Sequence, residues 1–309
     1  MTDNGGSDRW ALVALPGEGS TGPQIGVQRL GHKRARVPEL LRPFSSVLEV
    51  VEQWDALTAA LRGLDPDEGE PVVDARLGTP LTFPRKVLCS GPNFTDHLAE
   101  MGETGLGDAW TGYFFFKPPT TTLVGPFDPV LVGPGWERDR VDWEGELAVV
   151  IGRGGRDITA EAAFDHIAAY TVGNDISLRG PHRRDTPAAP FVWDWAASKA
   201  ADTSLPLGPG LVPAWQVPDP QRLSIKTWVN GALRQDGNTA NMVLGVAELV
   251  RDASALVTLE PGDVLLTGTP AGVGASRDTF LHPGDLVEVE IEGIGRLANT
   301  IRLRQEAQS

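Results

Sequence analysis

The pattern of hydrophobic and polar positions after residue 85 is mostly that of short β-strands. Apolar residues alternate with polar ones, or form short runs, in "YFFFK", "ELAVVIG", "DVLLTG" and "DLVEVEIEGIGRL". Runs of this length and composition are typical of strands. "LSIKTWVNGALRQ" predicts a hairpin, because Asn230 and Gly231 suit a two-residue turn. The pattern therefore predicts a β-rich domain, built as a sandwich, barrel or roll.

Two segments have helical periodicity. In "SSVLEVVEQWDALTAALRG" the apolar residues keep helical spacing, Ser46 and Glu49 fit a capping box, and Gly63 marks the end. "TAEAAFDHIAAY" predicts a second helix. The stretch "LDPDEGEPVVDARLGTPLTFP", which precedes the strands, is acidic and rich in Pro and Gly, as linkers are. We therefore expect a small N-terminal domain over residues 1–84 and a larger domain over residues 85–309.

Composition and charge narrow the class of protein. A chain of 309 residues with 41% hydrophobic residues can bury a sizeable core. Its formal net charge of −14 argues against nucleic acid and anionic membrane as partners, since phosphate binding needs clustered Lys and Arg. The single cysteine, Cys89, excludes a disulfide framework and a zinc–thiolate site. Because the chain start lacks a signal-peptide pattern and no apolar stretch approaches a membrane span, we expect a cytoplasmic protein.

Acidic residues at the ends of predicted strands are the first candidate for chemistry. In "VDWEGELAVVIG", Asp142, Glu144 and Glu146 occupy alternate positions, so a continuous strand would place them on one face. Asp175, in "YTVGNDISLRG", follows another apolar run and could join them. Such carboxylates are either solvated or face a cation. By spacing alone a solvated strand end is the commoner case, and a site for a hard divalent metal is the alternative.

A histidine and a lysine are further candidates. In "GPNFTDHLAEMG", a helix capped by Thr95 or Asp96 would place His97 and Glu100 on one face, where the carboxylate could orient a general base. The alternative is an ordinary exposed pair. Lys199, in "WAASKAADTSLPLGPG", could stabilise developing negative charge or be a surface lysine. The loop "TGTPAGVG" offers N–H groups and hydroxyls to a carboxylate but lacks the ending of a phosphate loop.

The order of these motifs resembles the fumarylacetoacetate hydrolase family. Its members show a Gly-x-Asn-Tyr-x-x-His-x-x-Glu segment, then Phe-x-Lys-Pro, Glu-x-Glu, Asn-Asp-x-Ser-x-Arg, Lys-x-x-Asp and Thr-Gly-Thr-Pro-x-Gly. This chain reads "GPNFTDHLAE", "FFKPP", "DWEGELAVVIG", "NDISLR", "SKAAD" and "TGTPAGVG", in that order. The resemblance runs from about Lys86 to Arg302, and includes acylpyruvate hydrolase and 2-hydroxyhepta-2,4-diene-1,7-dioate isomerase-like members. It implies an α+β, β-rich fold, a mixed β-roll preceded by a small N-terminal domain, and a homodimer.

The resemblance also implies roles for residues. It makes Glu144, Glu146 and Asp175 ligands of Mg²⁺, with Mn²⁺ or Ca²⁺ as alternatives. The metal would polarise a small oxo acid and stabilise an enolate. The catalytic residues would be His97, which activates water, Glu100, which orients it, and Lys199, beside the developing charge. The implied substrate-binding residues are Arg179, which would also support the metal loop, His182, Gly268 and Thr269.

The chain departs from the family pattern after Arg179. Family members continue with Asp, an aromatic or apolar residue and Gln, whereas this chain has "RGPHRR", with His182 at the position of the glutamine. The stretch from Asp175 to Lys199 is longer than expected and rich in Arg and aromatic residues. This stretch could cover an enlarged pocket for a bulkier acid, or it could be a packing or dimer-contact loop. Phe94 also replaces the usual tyrosine.

Three functional hypotheses follow. The favoured one is a metal-dependent hydrolase that cleaves a carbon–carbon bond in an acylpyruvate-like or other 1,3-dicarbonyl acid. The second keeps the site and the metal-bound enolate but makes the protein a decarboxylase, tautomerase, isomerase or hydratase of a related oxo acid. The third is a member that binds a ligand without turning it over. His97 and Glu100 favour the first, because hydrolysis needs a base to deliver water.

Overall fold

Short strands dominate the part of the chain that the computed structural model describes, which is residues 9–17, 22–72, 75–103, 106–107 and 110–305. The strands are β1 (Trp10–Leu15), β2 (Gln24–Arg29), β3 (Ala35–Val37), β4 (Glu70–Val72), β5 (Val87–Ser90), β6 (Phe114–Lys117), β7 (Leu123–Val124), β8 (Val130–Val132), β9 (Val141–Asp142), β10 (Gly145–Ile151), β11 (Ile167–Asn174), β12 (Ser177–Leu178), β13 (Leu205–Pro213), β14 (Ser224–Val229), β15 (Ala232–Asn238), β16 (Val264–Leu266), β17 (Leu286–Ile291) and β18 (Gly295–Leu303). The α-helices are α1 (Val47–Glu52), α2 (Trp54–Arg62), α3 (Thr95–Glu100), α4 (Trp136–Asp139), α5 (Arg179–His182), α6 (Trp195–Lys199) and α7 (Val246–Leu256).

The strands form two large sheets and one small pair. The main sheet has the order β4-β3-β2-β1-β13-β11-β10-β16-β5-β6, with β7 beside β13. It is mixed, because β16 runs parallel to β5 while β10 runs antiparallel to both β11 and β16. The second sheet has the order β15-β14-β17-β18-β8, and β9 pairs with β12. The predicted β-rich α+β fold is confirmed.

Strand β10 lies between two hydrophobic cores. Leu147, Val149 and Ile151 pack into the core that includes α7. Ala148 and Val150 point the other way, into the core that includes α1 and α2. Alternate residues of a strand face opposite sides of a sheet, so a strand covered on both faces needs an uninterrupted apolar run. This is why "ELAVVIG" shows no alternation after its glutamate.

The predicted helices need two corrections. The first helix is interrupted at Gln53 and becomes α1 and α2, while Ser46 caps α1 as expected by accepting from Glu49 N. The Glu49 carboxylate accepts from Ser45 instead of closing the box on Ser46. The second predicted helix is wrong, because residues 163–166 form a 3₁₀ turn and β11 begins at Ile167. β11 is buried along its whole length between β10 and β13, and this packing outweighs local helical spacing.

The N-terminal strands belong to the main sheet. β1 pairs with β13, with Leu12 opposite Leu211, and β4, inside the stretch expected to be a linker, pairs with β3. The division at residue 84 stays a prediction. The chain start, on which the expected lack of a signal peptide depends, lies outside the described residues. No helix of the described residues is long and apolar enough to cross a membrane.

The sheet brings three chain segments to one edge. Gly145, at the start of β10, lies opposite Asn174, at the end of β11. β16 ends at Leu266, opposite Ala148, and the loop that follows it therefore runs past the start of β10. β5 is parallel to β16, so the helix α3 that follows β5 begins at the same edge. Segments distant in sequence thus meet where the acidic residues lie.

Candidate metal and catalytic site

Three buried carboxylates form a cluster at this edge. Glu144 and Glu146 flank the first residue of β10, and Asp175 directly follows β11. One oxygen from each lies within 4.8 Å of the other two, a spacing that allows all three to bind one ion. Asp142 is not part of this cluster, and its carboxylate accepts from Gly274 N at 2.6 Å. The continuous strand on which the expected common face depended is interrupted, because β9 ends at Asp142 and β10 begins at Gly145.

Cations surround two of the three carboxylates. Lys199 Nζ lies 2.7 Å from Glu144 Oε2 and 2.7 Å from Asp175 Oδ2. Lys117 Nζ lies 2.6 Å from the other oxygen of Asp175. Arg179 bridges Glu144 Oε1, at 2.6 Å, and Asp142 Oδ2, at 2.8 Å. The ion pairs of Lys117 and Lys199 are buried and those of Arg179 are partly buried, so each charge depends on its partner for compensation.

The charges around Glu144 and Lys199 fix their ionisation. Burial alone would raise the pKa of Glu144, but Lys199 and Arg179 outweigh burial and hold the pKa well below its ordinary value. Burial alone would lower the pKa of Lys199, but Asp175 and Glu144 raise it above the ordinary value. Both groups therefore stay charged at neutral pH.

Glu146 differs from its two neighbours in the cluster. Its Oε2 accepts one hydrogen bond, from Gly268 N at 2.7 Å, and it forms no ion pair with any described residue. Burial, together with the charges of Asp175 and Glu144, raises its pKa well above the ordinary value. A buried carboxylate in this position lacks a positive partner. The donor set, three carboxylates with one uncompensated, fits a hard divalent cation such as Mg²⁺ or Mn²⁺.

His97 and Glu100 form a hydrogen-bonded pair on the neighbouring helix. Glu100 Oε1 lies 2.6 Å from His97 Nδ1, and the same carboxylate accepts from Gly272 N at 3.0 and 3.2 Å. Burial opposes ionisation of Glu100, but the bonds to His97 and Gly272 lower its pKa. With Nδ1 donating to Glu100, the proton-accepting nitrogen of a neutral His97 is Nε2. Neither Thr95 nor Asp96 caps α3, whose N-cap is Phe94.

The loop after β16 makes hydrogen bonds to other residues of the protein. Gly268 N binds Glu146, and Thr269 Oγ1 donates to Gly145 O at 3.0 Å while accepting from Gln235 Nε2 at 2.8 Å. The loop therefore orients the start of β10. The expected contact of Gly268 and Thr269 with a substrate carboxylate stays a prediction.

A cavity of about 350 Å³ opens above the cluster. Asp175 lies outside the cavity wall, beneath Lys199, and every other residue expected in the site lines it: His97, Glu100, Glu144, Glu146, Arg179, His182, Lys199, Gly268 and Thr269. A larger groove of about 1040 Å³, beside the β2–β3 turn and the β17–β18 turn, contains none of them. The candidate site is therefore the smaller cavity, whose volume would suit a small ligand.

Aromatic residues form another part of the cavity wall. Trp195 stacks on Phe115 with ring centroids 4.9 Å apart, and His182 meets the Trp195 ring edge-on at 4.6 Å. Burial, with help from Arg179 and Lys199, lowers the pKa of His182. Phe191 and Trp193 are exposed, at 66% and 62%, and do not line the cavity. Between residues 180 and 195 the altered stretch therefore lines the cavity with His182 and Trp195, and Arg179 and Lys199 line it at the two ends.

Sequence reasoning assigned no role to two buried residues of the site. Lys117, quoted in "FFKPP", is 1% exposed and binds Asp175. A lysine that closes an apolar strand before two prolines is a signal of burial that the sequence did contain. Gln235 connects Gly145 N, at 3.0 Å, to Thr269, and nothing in its local sequence marks it.

Most of the chain is similar in sequence to known proteins. The family model described as fumarylacetoacetate (FAA) hydrolase C-terminal matches residues 86–302. The chain is 36% identical over 298 residues to "Oxaloacetate tautomerase fahd2, mitochondrial" of Xenopus laevis, covering 94% of this chain and 89% of that protein.

Two solved structures extend the comparison. A fumarylacetoacetate hydrolase from psychrophilic Exiguobacterium antarcticum is 34% identical with a TM-score of 0.78, covering 96% of this chain and 100% of that chain. A maleylpyruvate hydrolase from Sphingobium sp. SYK-6, in complex with manganese(II) ion and pyruvate, is 29% identical with a TM-score of 0.72 and the same coverage. The chain therefore belongs to the fumarylacetoacetate hydrolase family.

Proposed function

We propose that this protein is a divalent-metal-dependent enzyme that interconverts the enol and keto forms of a small oxo acid. The observation that carries the proposal is the pairing, in one cavity of about 350 Å³, of a three-carboxylate cluster in which Glu146 lacks a positive partner with a histidine base. Electrophilic stabilisation and a base in a single small pocket are what proton transfer next to a carbonyl requires.

The metal would be held by Glu144, Glu146 and Asp175, and we propose Mg²⁺ or Mn²⁺, with Ca²⁺ as a further alternative. A bound divalent cation supplies Lewis acidity to the oxygens of an oxo acid and neutralises negative charge that develops on them. The maleylpyruvate hydrolase relative, described with manganese(II) and pyruvate, supports both the metal class and the substrate class.

Three residues of the chain would move the proton and stabilise the negative charge that results. His97 Nε2 removes the proton from one position of the enol–keto pair, the hydroxyl oxygen or the adjacent carbon, and the proton is returned at the other. Glu100 keeps the proton of His97 on Nδ1 and so leaves Nε2 free to accept. Lys199 holds a positive charge beside the cluster, where it stabilises the negative charge present between the two proton transfers.

The relatives support tautomerisation ahead of the hydrolysis that the sequence favoured. The Xenopus relative covers 94% of this chain and is named an oxaloacetate tautomerase. Tautomerisation needs the base and stabilisation of the charged oxygen, whereas hydrolysis also needs a placed water. Hydrolysis of a carbon–carbon bond in a 1,3-dicarbonyl acid stays the second candidate, because the same cavity and base serve it and a maleylpyruvate hydrolase shares the fold. The homodimer and the cytoplasmic location stay predictions.

A proton NMR assay in D₂O separates these reactions. Purified protein is stripped of metal and mixed with oxaloacetate and a panel of acylpyruvates, with Mn²⁺, with Mg²⁺ or with chelator. We expect metal-dependent acceleration of enol–keto exchange of oxaloacetate beyond the rate with metal alone. Cleavage of acylpyruvates to pyruvate and an acid, without accelerated exchange, would instead establish the hydrolase. His32→Gln, which changes an exposed histidine outside the cavity, is the control for His97→Gln.

A further inference from the structure

Both ends of one segment are attached to the same carboxylate. Residues 179–199, here called the strap, begin with Arg179, which donates to Glu144 Oε1 at 2.6 Å. They end with Lys199, which donates to Glu144 Oε2 at 2.7 Å. Between these ends the strap pairs with itself through the Arg183–Trp193 bridge and the bond from Asp194 N to His182 O, 2.8 Å. The strap is therefore a closed loop whose two ends meet at the cluster.

The strap ends in the five-residue helix α6. Its first residue, Trp195, forms a wall of the cavity, and its last residue, Lys199, reaches Glu144 and Asp175. So short a helix is marginal alone and depends strongly on its cap. The position of the Lys199 ammonium thus depends on where the N-terminus of α6 is held.

Asp194 holds that N-terminus. Its Oδ1 accepts from Ala197 N at 2.9 Å, which caps α6. Its Oδ2 accepts from Arg184 Nε at 2.6 Å, and the guanidinium is bound to Asp194 a second time through Nη2. One carboxylate therefore joins the helix that carries Lys199 to the other strand of the strap.

We propose that Asp194 is a positioning residue that, through α6, sets the Lys199 ammonium between Glu144 and Asp175. In this place the ammonium is a competitor of the divalent cation, because it neutralises two carboxylates of the cluster. The inference rests on the metal centre proposed above. It adds a device outside the cavity, the Arg184–Asp194 pair, that tunes how tightly metal is held.

The test compares Asp194→Ala with Lys199→Met in two measurements. The first is backbone hydrogen exchange of residues 195–199 in chelator, where we expect faster exchange in Asp194→Ala. The second is Mn²⁺ affinity by titration of the Mn²⁺ EPR signal. We expect both variants to bind Mn²⁺ more tightly than wild type by about tenfold, because the competing ammonium is displaced or removed. Damage to the fold alone would weaken binding, so the sign of the change separates positioning from general destabilisation.

Further variants protect the test from misfolding of Asp194→Ala. Asp194→Asn keeps an acceptor for Ala197 N but weakens the ion pair, and Arg184→Gln removes the pair alone; both should shift Mn²⁺ affinity in the same direction by less. Asp185→Ala changes an exposed carboxylate of the strap and should match wild type. Unchanged or weaker Mn²⁺ binding in Asp194→Ala, or unchanged exchange of residues 195–199, would overturn the proposal. If wild type and Glu146→Gln bind Mn²⁺ equally poorly, the metal centre itself is refuted, and the exchange measurement alone decides the positioning.

Discussion

The carboxylate cluster and the strap meet at Glu144 in one cavity but are held in different ways. The cluster is fixed by sheet register, since Gly145 opposite Asn174 brings the start of β10 beside the end of β11. The strap is fixed by ion pairs and one helix cap, which leave Phe191 and Trp193 exposed. The position of the carboxylates is therefore set by the packing of the sheet, whereas the position of the strap between its two ends depends on its own ion pairs and helix cap.

The largest expected effect comes from the uncompensated carboxylate of the cluster. Glu146→Gln should lower metal-dependent kcat/KM by at least about 10³-fold, because one of three metal ligands is lost. In chelator the same variant should raise Tm by about 2–4 °C, since it removes a buried carboxylate without a positive partner. Calorimetry in chelator checks this sign. A lower Tm would contradict the inference that the buried Glu146 carboxylate lacks a positive partner when no metal is bound.

The dyad should come next in size. His97→Gln should reduce the metal-dependent rate by about 10²–10⁴-fold, because it removes the base while leaving the carboxylate cluster intact. Mn²⁺ affinity should stay close to wild type, which separates a defect in chemistry from a defect in the metal site. Steady-state kinetics and an Mn²⁺ titration of the same preparation check both. A variant with the wild-type rate would remove His97 from the mechanism.

Lys117 tests how far the buried ion pairs support the fold. Lys117→Met should lower the free energy of unfolding by about 3–5 kcal/mol, because Asp175 Oδ1 then loses its buried partner. Lys86 offers a matched control, since it is partly exposed and pairs with Glu260 and Asp263 outside the cavity. Lys86→Met should lower the free energy of unfolding, measured by urea denaturation, by less than Lys117→Met does. Equal losses would mean that burial of the pair does not matter.

Changes on the strap side of the cavity should be smaller. His182→Gln places in this chain the residue that the family pattern has, and it should change relative kcat/KM among oxo acids by about tenfold or less. Metal affinity should not change, because His182 contacts Trp193 and Trp195 and no carboxylate of the cluster. Parallel kinetics on oxaloacetate and on acids with larger end groups provide the measurement. Unchanged selectivity would show that the departure is incidental.

The smallest effect concerns acid stability. The folded protein lowers the pKa of Glu100, so this carboxylate contributes stability that is fully present above its ordinary pKa of 4.5. That contribution is lost as pH falls through the folded-state pKa. Glu100→Gln should therefore make the free energy of unfolding less dependent on pH below about 4.5. Denaturation curves over the acid range check this, and an unchanged pH slope would contradict it.

Much of the fold could be predicted because its signals are local. The Asn230-Gly231 turn joins β14 and β15 as expected. The acidic pattern at Glu144, Glu146 and Asp175 is also local, but by spacing alone a solvated strand end is the commoner case, and only the order of the motifs indicated metal ligands. Other features depend on contacts between distant segments. No local signal predicts that Gly145 N donates to Gln235. The same holds for the hydrogen bond from Gly274 N to Asp142 Oδ1. The start of β11, residues 167–170, falls at the end of the predicted helix for the same reason, because its neighbours in the sheet decide its conformation.

The most direct test of the central claim is the rate at which enol oxaloacetate converts to its keto form, followed by loss of enol absorbance. Wild type and Glu146→Gln are first stripped with chelator and then supplied with Mn²⁺ in steps. We expect wild type to regain activity in proportion to bound Mn²⁺, and we expect Glu146→Gln not to regain it. Full activity of stripped wild type, or equal recovery in the two proteins, would contradict this expectation.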